Sequence, residues 1–130
     1  MIPRLLLDTH IVVRWLIDAK RLTREQSRAI DAAERRSEPM AISMISVLEI
    51  AFLINDRRVK VTPELLTSLE SDRPFCILPI SADIAMEAAT LHTLRDPFDQ
   101  VIAATARVHR LRLVTSGQRI IASQLVPIIQ

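Results

Sequence analysis

The chain has 130 residues, 49 % of them hydrophobic and 3 % aromatic, and carries a formal net charge of +2. Its single glycine, Gly117, is too few for the glycine-rich loops that cradle nucleotide phosphates. The scarcity of rings excludes modules that bind RNA by stacking bases on an aromatic sheet.

The length fits one domain, residues 1–130, large enough to bury about two thirds of its unfolded surface. Cys76 is the lone cysteine; it lies in an apolar run and reads as a buried small hydrophobe in a reducing compartment. Residues 1–7 are too short for a signal peptide, and no apolar run approaches the ~18 residues of a membrane helix. A cytoplasmic protein with no membrane partner is expected. Of the 17 basic residues, all but Lys20 and Lys60 are arginine. That bias suits bidentate contacts to phosphate or carboxylate, and a GC-rich coding sequence produces it equally well.

In chain order, Leu5-Leu6-Leu7 is a short apolar strand ending at Asp8. Ile11, Val12, Trp15 and Leu16 recur at helical spacing. Thr23 and Gln26 fit a capping box that opens a helix reaching about Arg36, and Pro39 breaks the chain. Residues 40–45 read as a second strand, with Ser46 opening a helix that carries Val47, Ile50, Ala51 and Ile54. Pro63 suits the first turn of a helix over residues 64–71. Residues 75–80 form a third strand, and Ser81 caps a helix through about His92. Asp96, followed by Pro97, caps another that reaches about His109. Residues 111–115 form a fourth strand; a short helical stretch follows Gly117, and residues 125–129 form a last strand. Short, non-alternating apolar strands separated by helices predict an α/β fold. It is a three-layer sandwich with a mainly parallel sheet of about five strands, covered by helices on both faces.

In such a sheet, function gathers at the carboxyl ends of the strands. Asp8 stands there directly, and it is also a good N-cap for the next helix. Glu49 lies near the start of the helix after the second strand. Either it closes an S-x-x-E capping box with Ser46 or it projects into a site. Asp96 looks like a cap; Asp99, three residues on, is either its capping-box partner or a site residue. Together these acids bring several carboxylates from separate elements to one edge. Such groups repel by roughly 1–4 kcal/mol per pair at ~4 Å in wet surroundings, unless a divalent cation neutralises them. An all-oxygen set suits Mg²⁺ or Mn²⁺, and such a cation commonly serves phosphate chemistry.

With these residues placed, the chain resembles the PIN-domain family, and within it the VapC-type toxins of bacterial toxin–antitoxin pairs. The resemblance runs through Leu5-Leu6-Leu7-Asp8-Thr9-His10, Ser43-x-x-Ser46-x-x-Glu49-Ile50-Ala51, Arg95-Asp96-Pro97-Phe98-Asp99 and Leu113-Val114-Thr115-Ser116. It implies a parallel α/β sandwich and Mg²⁺-dependent endoribonuclease activity on single-stranded RNA. It also implies a homodimer and a cognate antitoxin partner. Residue by residue, Asp8, Glu49 and Asp99 match the family's three core, metal-holding acids, and Asp96 matches an additional acid of the subgroup. Thr115 matches a strand-end hydroxyl that helps place a ligated water, with Ser116 beside it. The family usually carries an aspartate where this chain has Gly117.

Four readings of Gly117 stand open. It is a loss that leaves an active three-acid, one-metal site, a loss that inactivates the enzyme, or a detoxifying change. The fourth, compatible with all of these, is a turn that needs positive φ. The leading expectation is therefore a metal-dependent endoribonuclease, with Arg14, Arg95 and Arg119 near the acids to hold the RNA backbone. The alternative is a catalytically degenerate module that keeps dimer and antitoxin binding. A receiver or dehalogenase-type phosphatase is disfavoured, because Ser81 follows the third strand and His10 stands two residues after Asp8. His10, His92 and His109 are expected at the surface or at helix ends, and Met40, Met44 and Met86 in the core. The aliphatic surplus predicts a homodimer face and an antitoxin groove for an amphipathic helix.

Overall fold

Three consecutive leucines set the architecture. In the computed structural model, which describes residues 2–71 and 74–130, strand β1 (Leu5–Leu7) is fully enclosed. Successive side chains of a strand point to opposite faces. Leu5 and Leu7 therefore enter one core with Met40, Ile42 and Val114, while Leu6 enters the other with Ala41 and Leu113. Burying one such leucine contributes roughly 1.5–3 kcal/mol.

The sheet has five parallel strands in the order β3-β2-β1-β4-β5: β2 is Met40–Ser43, β3 Phe75–Leu78, β4 Arg112–Val114 and β5 Ile128–Ile129. β1 is central, with Leu6 opposite Ala41 on one side and Leu113 on the other. The chain winds outward from β1 in both directions, so its carboxyl end is a topological switch point. Helices α1 (Thr9–Ile17), α2 (Arg24–Arg35), α3 (Met44–Asn55) and α4 (Pro63–Ser68) contribute to the first core. Helices α5 (Ala82–Thr90), α6 (Pro97–His109) and α7 (Gln118–Ser123) contribute to the second. Trp15 meets Phe75 edge-on, with centroids 5.1 Å apart and rings at 87°. The expected parallel sandwich is thus the observed fold.

Local chemistry explains most boundaries. The Thr23–Gln26 capping box opens α2 as predicted. Asp96 caps α6 with Pro97 at its first position. β3 ends at Leu78, short of Ile80, because Pro79 has no N–H for a ladder. β4 and β5 are shorter than their apolar runs. A 3₁₀ turn at Ala19–Arg21 follows α1, a feature periodicity does not announce.

Several expectations need correction. Ser43, not Ser46, caps α3: its side chain accepts from the Ile45 amide at 3.1 Å. Two serines three apart offered two caps, and the earlier one won because Met44 and Ile45 suit a helix as well as a strand. Met40 is in the core, but Met44 is 37 % and Met86 72 % exposed. Both sit on helix faces that the described residues leave partly open. Cys76 is half-buried on the edge strand β3. The reading of the amino-terminal segment begins at Met1, which lies outside the described residues. Among the described residues, no helix is long and apolar enough to cross a membrane.

Candidate active site

Asp8 leaves β1 at its carboxyl end in an extended conformation, φ −66° and ψ 160°, and caps α1. Its Oδ1 accepts from the Thr9 amide at 2.7 Å, and its amide donates to the Val114 carbonyl at 3.0 Å. The capping reading of Asp8 therefore holds, but it uses only one oxygen. Oδ2 accepts the Thr115 hydroxyl at 2.6 Å. Thr115 Oγ1 in turn accepts from the Gly117 amide at 2.9 Å. Asp8 is 5 % exposed and Thr115 is wholly buried.

Because α3 begins at Met44, Glu49 lies in its second turn, too far along to close a capping box. Its carboxylate instead shares a cleft of about 280 Å³ with Asp8, His10, Arg14, Asp99 and Gly117. Burial raises the Glu49 pKa, the Thr9 hydroxyl beside it opposes the rise, and the charges of Asp8 and Asp96 add to it. Thr9 is itself fixed, donating to Ser46 Oγ at 2.9 Å.

Asp96 Oδ1 accepts from the Phe98 amide at 2.9 Å, so Asp96 is a cap. Asp99, one turn into α6, makes no capping-box bond back to Asp96 among the described residues. Its carboxyl is pushed up to about 6, first by burial and then by Asp96, Asp8 and Glu49, with Arg119 opposing. The four acids from β1, α3 and α6 therefore feel one another's charge. Among the described residues, no three His, Cys, Asp or Glu side chains are already gathered into a metal cage.

A network that the sequence reading missed fixes the loop after β4. His10 Nε2 accepts from the Ser116 amide at 2.8 Å, so the proton of the neutral ring sits on Nδ1, 3.7 Å from Asp8 Oδ2. Burial lowers the His10 pKa, Asp8 opposes that, and Arg14 reinforces it. Gln26, fully buried, donates to the Thr115 carbonyl at 3.3 Å and to Ser116 Oγ at 2.8 Å. Arg14 donates to the same oxygen at 3.3 Å. The signal available in the sequence was Gln26 itself, a polar residue in the apolar register of α2. Of the arginines expected nearby, Arg14 lines this cleft with Arg21, while Arg95 and Arg119 line a neighbouring cavity that also touches Asp99.

Gly117 has φ −70° and ψ 109°, which any residue adopts, so the positive-φ reading is wrong. A Cβ at this position would lie 3.2 Å from Thr115 Oγ1 and 3.7 Å from Asp8 Oδ2. A side chain there would stand over the central acid once Thr115 yields by a few tenths of an ångström.

A parallel sheet with carboxylates converging at its switch point defines an α/β acid-site domain. The chain belongs to the PIN domain family, which residues 5–123 match. It is 31 % identical over 118 residues to Ribonuclease VapC22 of Mycobacterium tuberculosis, covering 88 % of each chain. Its fold is similar to VapBC2 from Rickettsia felis bound to a DNA fragment from its promoter, with a TM-score of 0.72 and 18 % identity over 98 % of this chain and 97 % of that one. It is also similar to DNA-bound VapBC from Salmonella typhimurium, at 0.69 and 21 % over 98 % and 97 %.

Proposed function

We propose that the chain is an endoribonuclease toxin of a toxin–antitoxin pair, cleaving single-stranded RNA with a divalent cation, Mg²⁺ or Mn²⁺. The observation that carries this reading is the convergence of Asp8, Glu49 and Asp99 on one cleft. The likeness to Ribonuclease VapC22 supports it. The donor set is all oxygen, and burial together with the neighbouring acids raises the carboxyls of Glu49 and Asp99, a strain that a bound cation would relieve. An open cleft leaves room for the waters that Mg²⁺ retains. Asp8, Glu49 and Asp99 would hold the cation, with Asp96 adding to the negative field. When bound, it lowers the pKa of water and neutralises phosphate charge.

The chain's own residues do the positioning. Thr115 holds Asp8 Oδ2 and the Gly117 amide at once. Ser116 is held by Gln26, Arg14 and His10, which keeps the loop beneath the cleft rigid. Cleavage of an RNA panel in Mn²⁺ tests the reading, comparing this chain with Asp8→Asn and Gly117→Asp. Cleavage by this chain and none by Asp8→Asn is expected; if neither this chain nor Gly117→Asp cuts, the reading fails.

A second reading is favoured by the missing carboxylate at Gly117: a module that keeps its partners without cutting. It predicts cleavage by Gly117→Asp alone. For partners, the similarity in fold to VapBC structures and to a toxin–antitoxin complex from Klebsiella pneumoniae supports a cognate antitoxin here. Met44, Leu48 and Phe52, one turn apart on α3, are exposed. That apolar stripe supports a helix-packing partner and a homodimer; monomeric elution at micromolar concentration would count against the homodimer.

A further inference from the structure

Beside the acid cleft lies a second cavity, of about 640 Å³, lined by Thr93, Arg95, Asp99, Arg119 and Ser123 among others. Asp99 lines both cavities, so the two adjoin at the acids. Arg95 and Arg119 come from different elements, the α5–α6 loop and the first turn of α7, yet converge on this one space. Both are exposed, and among the described residues neither forms an ion pair with a carboxylate. Arg14, by contrast, is tied to Ser116. The lining contains no aromatic ring. A base entering here would find no ring to stack on, whereas a phosphate would meet two guanidinium forks with a hydroxyl at Thr93.

We propose that this cavity is the subsite for the nucleotide next to the one cleaved, gripping its phosphodiester through Arg95 and Arg119 without reading its base. The proposal rests on the ribonuclease reading and adds where the strand runs: across Asp99 toward α7, rather than toward Arg14. An acidic peptide would also suit two arginines. RNA is favoured because the cavity opens directly onto the carboxylates.

The test uses fluorescein-labelled decauridylate and decaadenylate, with binding followed by anisotropy from 50 to 300 mM salt. Arg95→Ala and Arg119→Ala are expected to weaken both oligomers about equally, by roughly 5–10-fold. Each should reduce the slope of log affinity against log salt by about 0.7, the value for one lost phosphate contact on a single strand. Arg110→Ala, a charge removed far from the acids, should leave the slope unchanged. An unchanged slope in both variants, a loss confined to one base, or no binding by the unaltered chain overturns the proposal. So does decaglutamate binding more tightly than RNA with the same arginine dependence. Arginine-dependent binding without cleavage in Mn²⁺, even by Gly117→Asp, removes the ribonuclease reading and with it the cleavage subsite, leaving only a phosphodiester grip. Cleavage with unchanged slopes removes the subsite alone.

Discussion

Thr115 donates its hydroxyl to Asp8 Oδ2 over 2.6 Å, joining the carboxyl ends of neighbouring strands β1 and β4 across 107 residues of sequence. Thr115 Oγ1 also accepts from the Gly117 amide, so one side chain orients both the central acid and the loop beside it. Hydrogen bonds to charged groups contribute about 1.5–3 kcal/mol. Thr115→Val is therefore expected to lose about that much stability in urea denaturation and to cut RNA at least ~10-fold more slowly. Thr115→Ser keeps the hydroxyl and should retain most of both.

The acid cluster works against the fold near neutrality. The Asp99 carboxyl is raised to about 6 in the folded chain from an ordinary 3.8. Between those values the native state holds a proton that the unfolded state has released. Stability from this group is therefore fullest below about 4 and declines as pH rises through about 6. Asp99→Asn should flatten that decline and melt higher than the unaltered chain at pH 7.5 in chelator. Solvent screening of a half-buried group keeps the gain below about 1 kcal/mol. A lower melting point at pH 7.5 would show that the carboxylates do not repel.

Restoring an acid at position 117 should act on the cation first. A Cβ there lies 3.7 Å from Asp8 Oδ2, so a carboxylate joins the cluster. Gly117→Asp is expected to bind Mn²⁺ about tenfold more tightly by calorimetry, equivalent to about 1.4 kcal/mol. Gly117→Asn supplies the same helix cap to α7 without the charge. It should gain a few tenths of a kcal/mol of stability and no Mn²⁺ affinity.

Gln26 supports the loop from below. Gln26→Leu leaves the Thr115 carbonyl and Ser116 without their buried donor. A cost of about 1–3 kcal/mol follows. Hydrogen exchange at the Ser116 and Gly117 amides should quicken while the Leu6 amide stays protected.

Away from the site, four non-glycine residues among those described carry positive φ: Ser37, Arg57, Arg110 and Gln124. Arg110 ends α6 at φ 55°, ψ 50°, where glycine is the favoured residue. Arg110→Gly should raise stability by about 0.5–1 kcal/mol, visible as a higher urea midpoint with unchanged slope, and leave RNA cleavage as it was.

Much of this fold was legible because short-range chemistry and strand order coincide. Leu5-Leu6-Leu7, the Thr23–Gln26 box and Asp96-Pro97 each have one comfortable local solution. The boundary at Ser43 and Ser46 was not legible, since both serines can cap and only packing decides. That boundary settled the position of Glu49, moving it out of a capping turn and into the cleft. The acids could be singled out from their places after strands. The network of His10, Gln26 and Ser116 could not, because its bonds span up to 106 residues and depend on the finished register. The exposures of Met44 and Met86 follow the same logic: helical spacing reveals a face but not whether anything covers it.

The strand order also governs when the site can exist during synthesis. β1 is made before the other strands of the sheet, yet it is the central one, and its second neighbour is Arg112–Val114. Until that segment emerges, Asp8 lacks both the Val114 carbonyl and the Thr115 hydroxyl that hold it. A nascent chain, or a fragment ended before residue 112, thus carries the central acid without the frame that orients it. Whatever chemistry the cleft performs waits for β4 to join the sheet.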